Sequence, residues 1–173
     1  MSSLKPIVSI VTCTYNRSKF FDNLKQMVSY QDYPHDLLEW VIMDDSPEAS
    51  EFPSSLDGIN VRYFHLKQKI PLGKKRDLLN HAAAGKYIVN MDDDDYYPPC
   101  RVSHAVERLI ASGRPLAGSS KMFMYFTKDR SIYRLGPYKE NHGTAATMAY
   151  TKEYSKRHFF YDEANGNYAE EAV

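Results

Sequence analysis

Tyr87-Ile88-Val89-Asn90-Met91-Asp92-Asp93-Asp94-Asp95 is an apolar run that delivers four consecutive aspartates to its carboxyl end. A short continuous apolar run of this kind suits a strand buried on both faces. Like charges packed so closely repel one another and resist burial without compensation. One physical reason to place them there is a hard divalent cation, Mg²⁺ or Mn²⁺, which takes carboxylate oxygens and commonly holds a substrate phosphate too. The other is a solvated acidic turn that caps the next helix, whose start Pro98-Pro99 would suit.

The neighbouring segments supply the sheet that this strand needs. Residues 7–14 are β-branched and almost continuously apolar, and Trp40-Val41-Ile42-Met43 is a second such run that ends at Asp44-Asp45-Ser46-Pro47. Residues 61–65 read as a third strand and 87–91 as the fourth. Between them Phe20, Phe21, Leu24, Met27 and Val28 recur at helical spacing behind Ser18, a candidate N-cap. Leu72, Arg76, Leu79 and Ala83 share one face of a helix that should stop at Gly85 as its C′ residue. Val102, Ala105, Val106, Leu109 and Ile110 mark another, closed by Gly113. Strand and helix alternate, which predicts an α/β fold: an open, mainly parallel sheet flanked by helices. After Gly113 the pattern changes to a smaller mixed or antiparallel part. Residues 116–127 are strand-like and aromatic, 131–135 should return antiparallel, 147–150 form another strand and 162–168 a loop. The stripe Met122, Met124, Phe126 is expected in the sheet core, and Trp40 at a strand entrance.

The 173 residues make one domain over 1–173, with halves at 1–113 and 114–173, large enough for a real core. Formal net charge is zero, which gives no broad polyanion-binding face and no expectation of nucleic acid as a partner. Cys13 and Cys100 are too few for a disulfide framework and lack metal-type spacing. The first residues lack the apolar core of a signal peptide, and no apolar stretch approaches the ~20 residues of a membrane span. A cytoplasmic protein of a reducing compartment is therefore expected.

Two strand ends carry acids, and in open α/β sheets the ligand lies outside the carboxyl ends of the strands where strand order reverses. Such acids can accept from ribose hydroxyls or a base, or hold a metal that offsets a diphosphate. Neither a Gly-x-Gly-x-x-Gly nor a Walker loop is present, so phosphate neutralisation falls to metal and to Gly73-Lys74-Lys75-Arg76, with Lys74 and Lys75 more simply read as a solvated helix face.

In order and spacing, these pieces resemble the family 2 glycosyltransferases of the GT-A fold. The match runs from about Pro6 to the last residues. It includes Val8-Ser9-Ile10-Val11-Thr12-Cys13-Thr14-Tyr15-Asn16-Arg17, Val41-Ile42-Met43-Asp44-Asp45-Ser46, Gly73-Lys74-Lys75-Arg76-Asp77 and Ala84-Gly85-Lys86-Tyr87-Ile88. Met91-Asp92-Asp93-Asp94-Asp95 corresponds to the Asp-x-Asp metal motif, and Tyr168-Ala169-Glu170-Glu171 more weakly to the Glu-Asp pair. As to source alone, the domain is similar to compact members from large algal viruses. The chain departs from the pattern in Asp77, where the family often has Asn, and in Glu170-Glu171. Relatives commonly continue past that pair with helices, so the acceptor site is expected to be either incomplete here or supplied from outside this chain.

The resemblance implies a metal-dependent, inverting transfer of a sugar, most simply from a UDP-hexose, to a hydroxyl of a carbohydrate or glycoconjugate. Residues 1–113 would bind the nucleotide and 114–173 serve the acceptor. Asp94 would hold Mn²⁺ or Mg²⁺ directly, and Asp92 would reach the metal or the ribose. Asp93 should point away on strand alternation unless a turn redirects it. Cys13, Thr14, Tyr15 and Arg17 would line the base and diphosphate site, with Asp45 at the nucleoside and Arg76 in the nucleotide pocket. His142 is a candidate third metal ligand or acceptor contact. Glu171 would be the general base, supported by Glu170. The Gln-x-x-Arg-Trp motif of processive synthases is absent, which favours transfer of a single sugar. Two other readings stay open: a sugar nucleotidyltransferase, although residues 11–17 lack the glycine its loop needs, and a non-catalytic nucleotide-sugar-binding domain.

Overall fold

The computed structural model describes residues 5–138, 142–162 and 166–167. Its centre is a seven-stranded sheet of order β3-β4-β2-β1-β5-β9-β6. The strands are β1 (Val8–Thr14), β2 (Leu38–Asp44), β3 (Ser55–Leu56), β4 (Ile59–His65), β5 (Tyr87–Asn90), β6 (Leu116–Ala117) and β9 (Ala149–Thr151). The first two pair in parallel with each other and with β4 and β5, whereas β3 and β9 run antiparallel to their neighbours. From β1 the chain steps to β2 and β4 on one side, then crosses to β5 on the other. Strand order thus reverses between β1 and β5, and the acids follow β5 directly.

Each face of the sheet has its own core. Even-numbered residues of the first two strands, Val8, Ile10, Trp40 and Ile42, face α1 (Phe21–Ser29) and α3 (Arg101–Ser112). Odd-numbered Val11, Cys13, Val41 and Met43 face α2 (Leu72–Ala82) through Leu79 and Ala83. Trp40 is wholly buried inside the first core rather than at a strand entrance. Its indole N–H donates to Thr12 Oγ1 at 3.0 Å, and that hydroxyl donates to Met91 O at 2.7 Å. The chain of bonds spans β2, β1 and the end of β5, so the strand carrying the aspartates is held in register from inside the core.

Several local expectations are corrected. Ser18 makes no side-chain cap; a 3-10 turn, Ser18–Phe20, leads into the helix instead. Gly85 is not a left-handed C′ residue. A Cβ there would lie 2.5 Å from Ser9 N and 2.7 Å from Ser9 Oγ, so the glycine is required by its approach to β1. Arg62 donates to Ala82 O at 2.7 Å and Lys152 to Ala83 O at 2.5 Å, two cations on the carbonyl end of α2. Gly113 does adopt the left-handed conformation, φ 62°, and closes α3 as expected. Leu72 and Ile110 are exposed, not core.

The strand-like stretch after Gly113 divides into β6 and β7 (Met122–Phe126), and β7 pairs antiparallel with β8 (Ser131–Leu135) in a separate two-stranded ribbon. Met124 and Phe126 are exposed, and Met122 is only half-buried, so the stripe is not sheet core. A two-stranded ribbon has no second layer to bury it. Following β9 come α4 (Lys152–Ser155) and a short hairpin of β10 (Tyr161–Asp162) and β11 (Gly166–Asn167), where a loop was expected.

Candidate active site

The parallel strands end together at one edge, which gathers Thr14 from β1, Asp44 and Asp45 from β2, and Asp92–Asp95 after β5. Thr14 Oγ1 donates to Asp93 Oδ2 at 2.6 Å, bridging the point where strand order reverses. Strand alternation would aim Asp93 away, but a turn begins there and carries its carboxylate to β1, where it is buried. Burial pushes the Asp93 carboxyl above its ordinary range, against the Thr14 hydrogen bond, and Asp94 and Asp92 add to the rise while Arg17 opposes it. Asp95 is pushed up to about 6, first by burial and then by Asp92, Asp94 and Asp93. The backbone N–H of Asp92 donates to the buried Tyr97 hydroxyl at 2.7 Å, which fixes the first acid of the run.

Two guanidinium groups meet these acids. Arg76, buried on α2, places Nη2 3.3 and 3.4 Å from the two oxygens of Asp92. Arg17 Nη1 lies 2.8 Å from Asp94 Oδ2, with both side chains around two-fifths exposed. An ion pair that open is worth little and exchanges readily for another partner. The paired donors of an arginine suit phosphate as well as carboxylate.

At the next strand end Asp45 is buried, accepting from Ile70 N at 2.9 Å and from the ammonium of Lys75. Lys75 also donates to Thr14 O at 2.9 Å. It is therefore not on a solvated helix face; it ties the ends of β1 and β2 together from α2. Asp44 is the Asx-turn residue, accepting from Ser46 N at 2.8 Å and from the Tyr63 hydroxyl at 2.7 Å. Tyr15 is half-buried under the Lys69 ammonium, 4.0 Å from the ring centroid. Cys13 belongs to the second core.

Residues 9–159 match the model of glycosyl transferase family 2, most of the chain. The chain belongs to that family. Among curated relatives it is 28% identical over 102 residues to "Putative colanic acid biosynthesis glycosyl transferase WcaA" of Escherichia coli (strain K12), an alignment covering 57% of this chain and 36% of that protein. Its fold is that of S. aureus TarS 1-349 solved with UDP-GlcNAc, at TM-score 0.66 and 19% identity, covering 87% of this chain and 47% of that one. It is likewise that of the mannosyltransferase PcManGT from Pyrobaculum calidifontis, solved with GDP-Man and Mn²⁺, at TM-score 0.67 and 15% identity, covering 95% and 48%. The chain thus spans about half the length of these structures, or less than that of the curated relative. The expected open α/β architecture is the one these structures share.

Of the residues singled out from the sequence, Thr14, Arg17, Arg76, Asp92, Asp93 and Asp94 converge at the one edge, and Asp45 stands at the adjoining strand end. No group of three or more His, Cys, Asp or Glu able to hold a metal occurs among the described residues, with or without His142. The His142 ring packs against Tyr138, with centroids 4.8 Å apart. Glu170 and Glu171 lie outside the described residues. Lys75, Lys69 and Tyr97 were missed as site residues. The signal for Lys75 was present, since it lies three residues after Leu72 and four before Leu79, the same spacing that marked Arg76.

Proposed function

We propose that this family 2 domain transfers a sugar from a nucleotide sugar, specifically a UDP-hexose, to an acceptor hydroxyl with inversion at the anomeric carbon. The observation that carries the reading is the meeting of Thr14–Asp93, Arg76–Asp92 and Arg17–Asp94 at the carboxyl edge where strand order reverses. Family membership supports the reaction class. Relatives solved with UDP-GlcNAc and with GDP-Man support a nucleotide sugar, and they differ in the nucleoside. Among the described residues no helix is long and apolar enough to cross a membrane.

The same edge fits Mn²⁺ or Mg²⁺. Its donors are hard carboxylate oxygens, and two guanidinium groups face four acids, two of which burial and mutual repulsion already hold above their ordinary range. Such cations are commonly bound through one or two carboxylates plus substrate phosphates, so a protein-only cluster of three is not required. Asp94 would hold the ion, with Asp92 beside it; when bound, it offsets the charge collecting on the departing nucleoside diphosphate.

This chain's own residues do the rest. Arg17 and Arg76 present paired donors to phosphate oxygens in place of their present carboxylate partners. Tyr15 recognises the base by stacking, while Asp45, wholly buried against Lys75 and Ile70 N, holds the ends of β1 and β2 in place around it. The acceptor oxygen bonds to the anomeric carbon while the anomeric C–O bond to the diphosphate breaks, its electron pair leaving with the nucleoside diphosphate. The hydroxyl proton passes to the carboxylate of Glu171, with Glu170 at its side. A thermal-shift panel of UDP, GDP and ADP sugars with and without Mn²⁺, followed by assay of released UDP, tests this. The expected result is a shift confined to UDP compounds with metal, and UDP release on addition of acceptor. Pyrophosphate release from a nucleoside triphosphate would mark a nucleotidyltransferase instead. Nucleotide binding that never leads to turnover would mark a binding domain.

A further inference from the structure

From the acid cluster a groove of about 1300 Å³ runs between α3 and the β7–β8 ribbon. It is larger than the roughly 300–1,000 Å³ of ordinary small-molecule sites. Asp94 and Asp95 line one end of it, so it opens from the place where the donor's reacting carbon would lie. Its two long walls differ in chemistry. The ribbon wall presents Phe123 and Tyr125, 72% and 57% exposed, large apolar surface that soluble proteins rarely leave uncovered without a ligand or partner. The helix wall presents Arg101, His104 and Arg108, three to four residues apart and so on one face of a helix about 18 Å long.

Arg101 is taken by the backbone, donating to Asn90 O at 3.1 Å and Met148 O at 2.9 Å. The other cations of the groove are not so engaged. Arg108, with Arg114 and Lys121 farther along, is exposed and forms no ion pair with any described residue. Beyond the two aspartates at its end, none of the described residues lining the groove is acidic. The wall is thus electrostatically complementary to an anion that extends away from the reaction centre.

We infer that this groove is the acceptor subsite and that the acceptor is an acidic glycan, an oligosaccharide bearing carboxylate or phosphate groups. The inference rests on the glycosyl-transfer reading of the adjoining edge. Sugar rings offer apolar C–H faces to Phe123 and Tyr125, and their anionic groups can pair with the guanidinium groups of Arg108 and Arg114 that also line the groove. A hydrocarbon chain in the same place would cover the guanidinium groups of Arg108 and Arg114 without giving them a partner. An anionic group on Arg108 leaves the hydroxyl-bearing end of the glycan at Asp94 and Asp95.

The test is an array of uronate-, sialate- and phosphate-bearing oligosaccharides beside neutral ones, probed with the whole chain and followed by calorimetry on the strongest binder. Binding should be confined to acidic glycans and fall at least tenfold in Arg108→Ala/Arg114→Ala. It should also weaken as NaCl is raised from about 50 to 500 mM. Phe123→Ala should weaken binding without removing the preference for acidic glycans. Equal binding of neutral glycans, loss of no affinity in the double variant, or binding of none of the array would overturn the inference. So would dodecyl phosphate micelles binding where glycans do not, or a concentration-dependent dimer that Phe123→Ser dissolves. Manganese-dependent UDP binding is measured on the same wild-type preparation. Wild type that binds UDP but no acidic glycan loses the acceptor inference alone; wild type that binds no UDP loses the donor reading.

Discussion

At the carboxyl edge of the sheet buried charges are tied to fixed partners, whereas on the β7–β8 ribbon large apolar side chains stand open. At the edge, Asp45, Lys75, Arg76 and Asp93 are all buried, and each has a polar partner from another element. On the ribbon, Phe123, Tyr125, Ile132 and Tyr133 are exposed by more than half, and among the described residues the two strands pair only with each other. The contrast shows that buried, paired charges hold the donor edge in shape, while uncovered apolar side chains leave the ribbon free to take an occupant. Buried charges demand fixed partners, whereas an uncovered aromatic face waits for an occupant.

That difference should be largest in stability. Asp45→Ala leaves the Lys75 ammonium buried without its carboxylate and should cost about 3–5 kcal/mol in urea denaturation. Adding Lys75→Met should recover part of the loss, because the stranded charge is removed with its partner. Additive losses would mean that the two side chains do not depend on each other. Next in size, Ile42→Ala, at a fully buried site between α1 and the sheet, should cost about 2–5 kcal/mol. Gly85→Ala should cost about 1–3 kcal/mol, because the new Cβ meets the backbone of β1 and not a side chain that can turn aside. On the ribbon, Phe123→Ser should move stability by no more than about 0.5 kcal/mol. A loss there comparable to that of Ile42→Ala would show that the ribbon is packed in solution and that the contrast is false.

The same division decided what the sequence could reveal. Strands β1, β2 and β5 were legible because strands buried on both faces are mostly apolar, and the acids that follow β2 and β5 stood out against that background. The ribbon carries the same apolar vocabulary, so Met122, Met124 and Phe126 read as core in the sequence; residue type reports a preference for burial, not whether a second layer exists. Gly85 looked like a helix terminator because position in sequence suggested it, while the reason for the glycine lies 76 residues earlier at Ser9. Lys75 was passed over for the same cause, since its partner Asp45 is 30 residues away on another strand. Within the site, Arg76, Asp92 and Asp94 were legible through spacing and family resemblance. The turn that redirects Asp93 to Thr14 was not, because alternation holds only while the strand lasts.

The central claim is that the β1–β5 edge binds a nucleoside diphosphate through a divalent cation held by Asp94. Calorimetric titration of UDP into the wild type with Mn²⁺, into the wild type with chelator, and into Asp94→Ala with Mn²⁺ tests it most directly. Without the cation, the diphosphate and the aspartates repel one another. UDP should bind in the first titration and at least tenfold more weakly in the other two. Equal affinity in all three would contradict the account.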